Sequence, residues 1–414
     1  MRLKPLSSRT RPFQESVIRE MTRLSEKIGG VNLAQGLPDF APPAEITKAL
    51  AAALRDPANH QYAFTWGSVE LREAVARKTA EVNGIRADPA GEVTITCGVS
   101  EAVAAAVLAL TEPGDEALVL EPWYENYVPA CVLASVTPRF VPLSEPDYRL
   151  DSKKLEAAIR KRTRLIFVNT PGNPSGRVFT REELSEIARI CARHGIVAVT
   201  DEIYERIWFA GHRHVSLGSL PGMEDRTVTL SGLGKTYAVT GWRVGWAVAP
   251  APLTALIRKV HDYLTIAAPT LFQAAGVAAL ALPESYYEKQ RAEYARRRAL
   301  LLPALEASGL AFTPPEGAYY VMVDAAPLGW RDDWKFVDFL ARKVGVIGVP
   351  GSSFYAGGGK TRVRLNFAKK EETLREAARR LRAADLRFGA RNRQPGQAVL
   401  DAIILRSAAD KPSS

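Results

Sequence analysis

Along the middle of the chain, short runs of apolar and β-branched residues alternate with longer stretches whose apolar positions recur at helical spacing. Residues 92–96, 117–120, 165–169, 196–200, 227–230 and 244–248 read as strands. Residues 101–110, rich in Ala and Val, read as a helix. Thr180 with Glu183 forms a capping box that opens another helix, running to about His194. Strands apolar on both faces and separated by helices argue for a parallel sheet covered on both sides. The polar and Gly-rich residues cluster just after these strands, at the carboxyl ends where open α/β sheets hold their ligands. From residue 284 the texture changes. A long Arg/Ala/Leu helix, strands at 317–323, 344–349 and 363–367, and a helix from 371 to about 387 predict a smaller α+β unit. The expected division is 1–47 for an N-terminal arm and part of the small domain, 48–284 for the large domain, 285–387 for the C-terminal small domain, and 388–414 for an extension. That extension carries Gly389, Pro395 and Gly396, with a short apolar stretch at 399–405.

Composition narrows the class. The 414 residues are 47% hydrophobic and 24% charged, which excludes a disordered or collagen-like chain. No uninterrupted apolar run reaches the roughly 18 residues of a membrane span. The first eleven residues are basic and polar with no apolar stretch behind them, so no secretory signal is expected. Cys97, Cys131 and Cys191 are too few and too scattered for a disulfide framework or a zinc site, so a cytoplasmic setting is expected. The net charge of +10 raises the question of nucleic acid. The basic residues are spread along the chain, however. Their concentrations at 291–298 and 375–393 alternate with Ala, Leu and Glu, as on solvated helix faces. Neither nucleic acid, membrane nor metal is an expected partner.

The segment from Ser231 through Lys235 to Arg243 and Gly245 is the most informative. Lys235 follows a strand and glycines, where backbone can approach a ligand closely. Either it begins an ordinary surface loop or its amine, with a lowered pKa, forms a Schiff base with a carbonyl. Arg243, set between Trp242 and Val244 in an apolar context, calls for an anionic partner. Asp201 ends a strand and is open to two readings, a helix N-cap or a ligand-facing acid. Asn173 lies in turn-forming sequence and also offers an amide to a ligand. Gly98, Val99 and Ser100 join a strand to a helix whose free N–H groups and hydroxyl suit an anion. Tyr124 presents an aromatic face to core or ligand. The aromatic stretch from Tyr62 through Phe64 to Trp66 reads as core or interface. Arg362 and Arg364 share one strand face, as an edge charge pair or with one of them clamping a carboxylate.

Order and placement decide what no single segment does. The carrying motifs are Gln35-Gly36-Leu-Pro-Asp39-Phe40, Gln61-Tyr62, Asn169-Thr-Pro-Gly-Asn173-Pro, Asp201-Glu-Ile-Tyr204, Gly211-His-Arg-His, Ser219-Leu-Pro-Gly-Met223, Lys235-Thr-Tyr and Gly241-Trp-Arg243-Val-Gly245. Over about residues 32–387 these resemble the class I/II aminotransferases of the pyridoxal-phosphate fold-type I superfamily. The resemblance is greatest to the kynurenine, glutamine and methionine aminotransferase branch, which includes cysteine-conjugate β-lyases. It implies an α/β fold with a mostly parallel central sheet sandwiched by helices, a large cofactor-binding domain and a smaller α+β domain. It implies pyridoxal 5'-phosphate on Lys235 as a Schiff base and Asp201 on the pyridinium nitrogen. Tyr204 and Asn173 would bond the phenolic oxygen, and Tyr124 would stack on the ring. Gly98, Val99, Ser100, Ser231 and Arg243 would lie at the phosphate, with Tyr62 arriving from the partner of a homodimer. Gly36, Asn173 and Arg364 would take the substrate carboxylate. Two departures stand out. The phosphate-touching serine of many relatives is Gly232 here, with a hydroxyl one step earlier at Ser231. A histidine that some relatives supply is absent from Ala267-Ala268-Pro269.

The expected reaction moves an amino group from an amino acid to a 2-oxo acid, with Lys235 as general base. Phe13, Phe64, Trp66 and Tyr124 suggest a roomy pocket for aromatic, thioether or glutamine donors. A β-lyase would use the same constellation. A DNA-binding regulator is not expected from the short stretch before Asn32. A nicotinamide enzyme is not expected without a Gly-x-Gly-x-x-Gly turn after the first strand.

Overall fold

Runs that are apolar on both faces have no side to give to water, and the computed structural model sets them in the middle of a covered sheet. The structure describes residues 15–389 together with residues 8, 10 and 13; the apolar stretch expected at 399–405 lies outside the described residues. In chain order the strands are β1 (Val31–Asn32), β2 (Val93–Thr96), β3 (Glu116–Glu121), β4 (Thr137–Pro142), β5 (Thr163–Asn169), β6 (Val197–Asp201), β7 (Thr227–Gly232), β8 (Gly245–Val248), β9 (Ala311–Phe312), β10 (Tyr320–Asp324), β11 (Val346–Ile347), β12 (Val349–Pro350) and β13 (Arg362–Asn366).

Seven of them form one sheet in the order β2-β8-β7-β6-β5-β3-β4. Every pairing from β7 across to β4 is parallel. β8 runs antiparallel to both β2 and β7, which departs from an all-parallel sheet. The reason is local. Between β7 and β8 the chain makes only a one-turn helix, Leu233–Thr236, and a tight turn, Thr240–Trp242. Neither is long enough to carry a parallel crossover. Side chains of β5 go alternately to two cores. Leu165 and Phe167 pack with Val103 and Val107 of the helix Val99–Leu110, while Ile166 and Val168 pack with Leu184 and Ile187 of the helix Arg181–His194. Burying each such side chain fully contributes about 1.5–3 kcal/mol. The capping box at Thr180 and Glu183 is present.

The second core continues without a break into the smaller antiparallel sheet, β12-β13-β10-β9, through Val321, Val323, Leu365 and Leu381. β1 pairs with β11, so the N-terminal part of the chain is tied to its C-terminal part. Three expectations are corrected here. The run 344–349 is not one strand: Gly345, at φ +75°, ends the preceding helical turn, and Gly348 yields its side-chain space to Val363 and Leu365, so the run divides into β11 and β12. The strand expected from 317 begins at Tyr320, after Ala318 adopts φ +54°. The last described helix, Glu371–Ala383, stops short of 387 because Ala384 is extended. The arginines at 291–298 are also less solvated than expected: Arg291 lies over Trp208, Arg297 over Phe40 and Arg298 over Phe209, at 4.6, 4.5 and 5.0 Å.

Candidate active site

The carboxyl ends of β5 and β6, the turn after β7 and the junction after β2 converge on one cleft. β6 stops at Asp201 and β5 at Asn169, side by side in register. Asn169 fixes both neighbours, donating to the Asp201 carbonyl at 2.8 Å and accepting from the Asn173 amide at 2.7 Å. Asp201 is buried. Tyr127 donates its hydroxyl to Asp201 Oδ2 at 2.8 Å, and the Ile203 amide donates to Oδ1 at 3.2 Å. The second bond closes a turn rather than capping a helix: no helix among the described residues begins directly after Asp201, so the helix N-cap expectation is corrected. Burial pushes its carboxyl up to about 6, against the pull of these two donors. An acid held that way favours a cationic partner.

Lys235 lines the same cleft and donates to the Gly36 carbonyl at 2.9 Å. Burial, then the charges of Arg364 and Arg243, lower its ammonium to about 8. A lysine in that range has a usable unprotonated fraction near neutral pH.

The β2 junction forms the third corner. Gly98 precedes the helix Val99–Leu110 at φ +75°, ψ 171°, a region left to glycine, and a Cβ there would run into the Arg243 guanidinium. No side chain caps that helix start. That helix start and Arg243 line the same cleft, and Arg243 reaches back to the Cys97 and Thr240 carbonyls at 3.4 and 3.0 Å. The Ser100 hydroxyl, bonded by Asn126 at 2.7 Å, lies beside them. Arg243 is solvent-exposed, at φ +55°, rather than in the apolar setting expected of it. Among the described residues it has no carboxylate partner. Two cation sources without a counterion make an anion cup.

Arg364 comes from the smaller sheet and is fully buried. It donates to Asn173 Oδ1 at 2.8 Å and to the Ala34 carbonyl at 2.7 Å, while its Nε has no partner. A buried guanidinium lacking a carboxylate among the described residues is suited to receive one. Arg362, on the same strand, pairs with Glu145 instead; β13 lies between β12 and β10, so this is not the edge-strand charge pair expected. Tyr204 is buried with its hydroxyl 3.0 Å from that of Tyr320, and Tyr124 lines the cleft wall.

Not every expected residue comes to the cleft. Ser231 is buried with its hydroxyl donated to Glu205 at 2.7 Å, away from the anion cup, because β7 is still extended there and the residue faces the opposite side. Glu205 also pairs with Lys78, and Asn83, Glu202, His214 and Ser216 complete this buried cluster. Glu202, Glu205 and His214 have metal-ligand character, but the Lys78 ammonium already supplies the positive charge. Tyr62 is 81% exposed and lies on the outer surface near Ala267 and Pro269. Phe64 is exposed against Trp66, and Phe13 borders a separate surface groove, so within one chain these aromatics do not enlarge the cleft. Sequence reasoning missed Tyr127 and Tyr320.

The model of the family described as aminotransferase class I and II matches residues 28–381. The methionine aminotransferase of Escherichia coli is 38% identical over 368 residues, covering 89% of this chain and 95% of that protein. Human kynurenine–oxoglutarate transaminase 1 is 33% identical over 397 residues, covering 88% and 94%. The structure of N-succinyldiaminopimelate aminotransferase from Mycobacterium tuberculosis superposes with a TM-score of 0.89 at 38% identity, covering 92% of this chain and all of that one.

Proposed function

Because the chain belongs to the class I and II aminotransferases, pyridoxal 5'-phosphate enzymes of fold type I, we propose that the cleft around Lys235 is where its cofactor and its substrate meet. The enzyme moves an amino group from an amino acid to a 2-oxo acid. The observation that carries the site assignment is the meeting of the Lys235 amine, the Asp201 carboxyl and the Arg243 anion cup in one cavity. The donor set fits the cofactor group by group: amine for aldehyde, raised acid for ring nitrogen, cup for phosphate.

When bound, the cofactor supplies the electron sink that makes the amino acid's α-proton removable. The protein's residues do the rest. Asp201 would keep the ring nitrogen protonated, an ion-pair effect of about 1–3 pKa units. Gly98, Val99, Ser100 and Arg243 would hold the phosphate, and Tyr124, on the cleft wall, would contact the ring. Tyr204 and Asn173 would bond the phenolic oxygen. Arg364, with Asn173 and the Gly36 backbone, fixes the substrate carboxylate and so orients its α-carbon. Lys235 then moves the proton at that carbon.

Aromatic, thioether or glutamine donors are the proposed substrates. The methionine and kynurenine activities in the relatives' names support this. β-Elimination on the same site is not favoured, since these relatives are transferases. A second copy of the chain completes each site through Tyr62. The outward display of Tyr62, Tyr263 and Ile266, at 81, 93 and 47% exposure, supports this homodimer. The free thiols Cys97, Cys131 and Cys191 suit a cytoplasmic setting, and no helix among the described residues is long and apolar enough to cross a membrane. We also propose that the chain divides at residues 47, 284 and 387. This division is supported by the strands of the larger sheet lying within 93–248 and those of the smaller within 311–366.

The test is a half-reaction screen that follows cofactor absorbance against a panel of amino acids. Methionine, glutamine or an aromatic donor should react fastest, and Lys235→Ala should show no turnover with any donor. A panel answered by aspartate alone would reject the donor class. Wild-type turnover in Lys235→Ala would reject the site.

A further inference from the structure

Tyr320 opens β10 in the smaller sheet and is buried, with 1% exposure. Its ring lies 4.5 Å from the Arg364 guanidinium. The two residues are diagonal neighbours across β10 and β13, where Tyr320 pairs with Asn366 and Met322 with Arg364. Its hydroxyl is packed so closely over Gly36 that a methyl group on that glycine would overlap it. The Gly36 carbonyl in turn accepts from Lys235. The hydroxyl of Tyr320 therefore lies near both Arg364 and the lysine's carbonyl partner, 3.0 Å from the Tyr204 hydroxyl; Tyr319 approaches the same pair, but its own hydroxyl donates to the Gly36 carbonyl at 3.3 Å.

Two hydroxyls at that distance share one hydrogen: one donates and the other accepts. If the Tyr204 proton goes to the cofactor's phenolic oxygen, the donor left in the pair is Tyr320. We propose that Tyr320 is a positioning residue for amino-group transfer, donating to Tyr204 so that Tyr204 presents its own proton to the cofactor oxygen. The inference rests on the role given to Tyr204 above. In a buried setting, a hydroxyl that accepts one hydrogen bond donates the next more strongly, by about 10–30% per bond. Tyr320 thus strengthens the Tyr204 donor from the same sheet that carries Arg364.

The experiment titrates the absorbance of the bound cofactor against pH in wild-type holoenzyme, Tyr204→Phe, Tyr320→Phe and the double variant. A donor at the phenolic oxygen favours its anionic form and lowers the midpoint, so losing the donor raises it. We expect Tyr204→Phe to raise the midpoint by about one to two units and Tyr320→Phe by about half a unit. The double variant should match Tyr204→Phe alone, because the effect of Tyr320 passes through Tyr204. Tyr320→Phe keeps a ring beneath Arg364, so kcat should fall about three- to tenfold with a smaller change in KM. A shifted Tyr204→Phe beside an unshifted Tyr320→Phe overturns the relay and leaves the site assignment standing. An unshifted Tyr204→Phe overturns both. Additive shifts in the double variant overturn the route through Tyr204. If Tyr320→Phe does not fold, Tyr320→Met also lacks the hydroxyl and is read the same way.

Discussion

Two titrating groups give the cleft its character, and each makes a measurable claim. Lys235, lowered to about 8 by burial and by two arginines, should react with an aldehyde well below the range of an ordinary lysine. Brief exposure of the cofactor-free protein to pyridoxal phosphate, followed by borohydride, should label Lys235 with a pH midpoint near 8. A midpoint near 10.5 would reject the assignment. Asp201 moves the other way, from 3.8 to about 6. The folded protein binds this proton more tightly than the unfolded chain. Its stabilising contribution is therefore full below pH 3.8 and is lost as pH rises through 6. At pH 8, without cofactor, the ionised form costs on the order of 3 kcal/mol. Asp201→Asn is neutral throughout and still accepts from Tyr127. It should melt higher than wild type at pH 8 as the cofactor-free protein, with the gap closing toward pH 4. Once loaded with cofactor the same variant should lose about a hundredfold or more in kcat, having lost the partner of the ring nitrogen. Equal melting points at pH 8 would contradict the raised acid. Asp201 and Lys235 were legible in the sequence because each follows an apolar run that ends abruptly. Tyr127 and Tyr320 were not. They lie 74 and 116 residues from the side chains they bond, and no local pattern marks a contact made only by packing.

Elements were legible where their signals are local. The capping box at Thr180 and the strands at 165–169 and 227–230 are carried by adjacent residues, and the structure has them within two residues. The run 344–349 misled because apolar character persists through a helix end and two separate strands; only Gly345 and Gly348 hinted at the breaks. The direction of β8 was illegible for a different reason, since an apolar run carries no sense of orientation. The junction between β2 and its helix makes a prediction at this scale. Gly98→Ala imposes side-chain strain of about 1–3 kcal/mol at a backbone conformation left to glycine and pushes a methyl toward Arg243. Cofactor affinity, read by fluorescence titration of the cofactor-free protein, should weaken at least about tenfold. An unchanged Kd would remove the cup from the phosphate site.

For the molecule as a whole, the proposed dimer makes activity a shared property. Lys235→Ala and Tyr62→Ala homodimers should each be impaired, but a mixed dimer pairs an intact Lys235 with an intact Tyr62 at one of its two sites. Re-equilibrating equal amounts of the two variants should therefore restore about a quarter of the wild-type rate. No recovery from a mixture proven to exchange subunits would place Tyr62 outside the site. The pairing of β1 with β11 has a consequence during synthesis. The strands of the larger sheet emerge from the ribosome between Val93 and Val248, so that sheet can assemble early. Val31 must wait for Val346, and Arg364 emerges later still. A nascent chain thus acquires Lys235 and Asp201 well before Arg364 can join them, so the cleft is lined on its larger-sheet side before the buried guanidinium arrives.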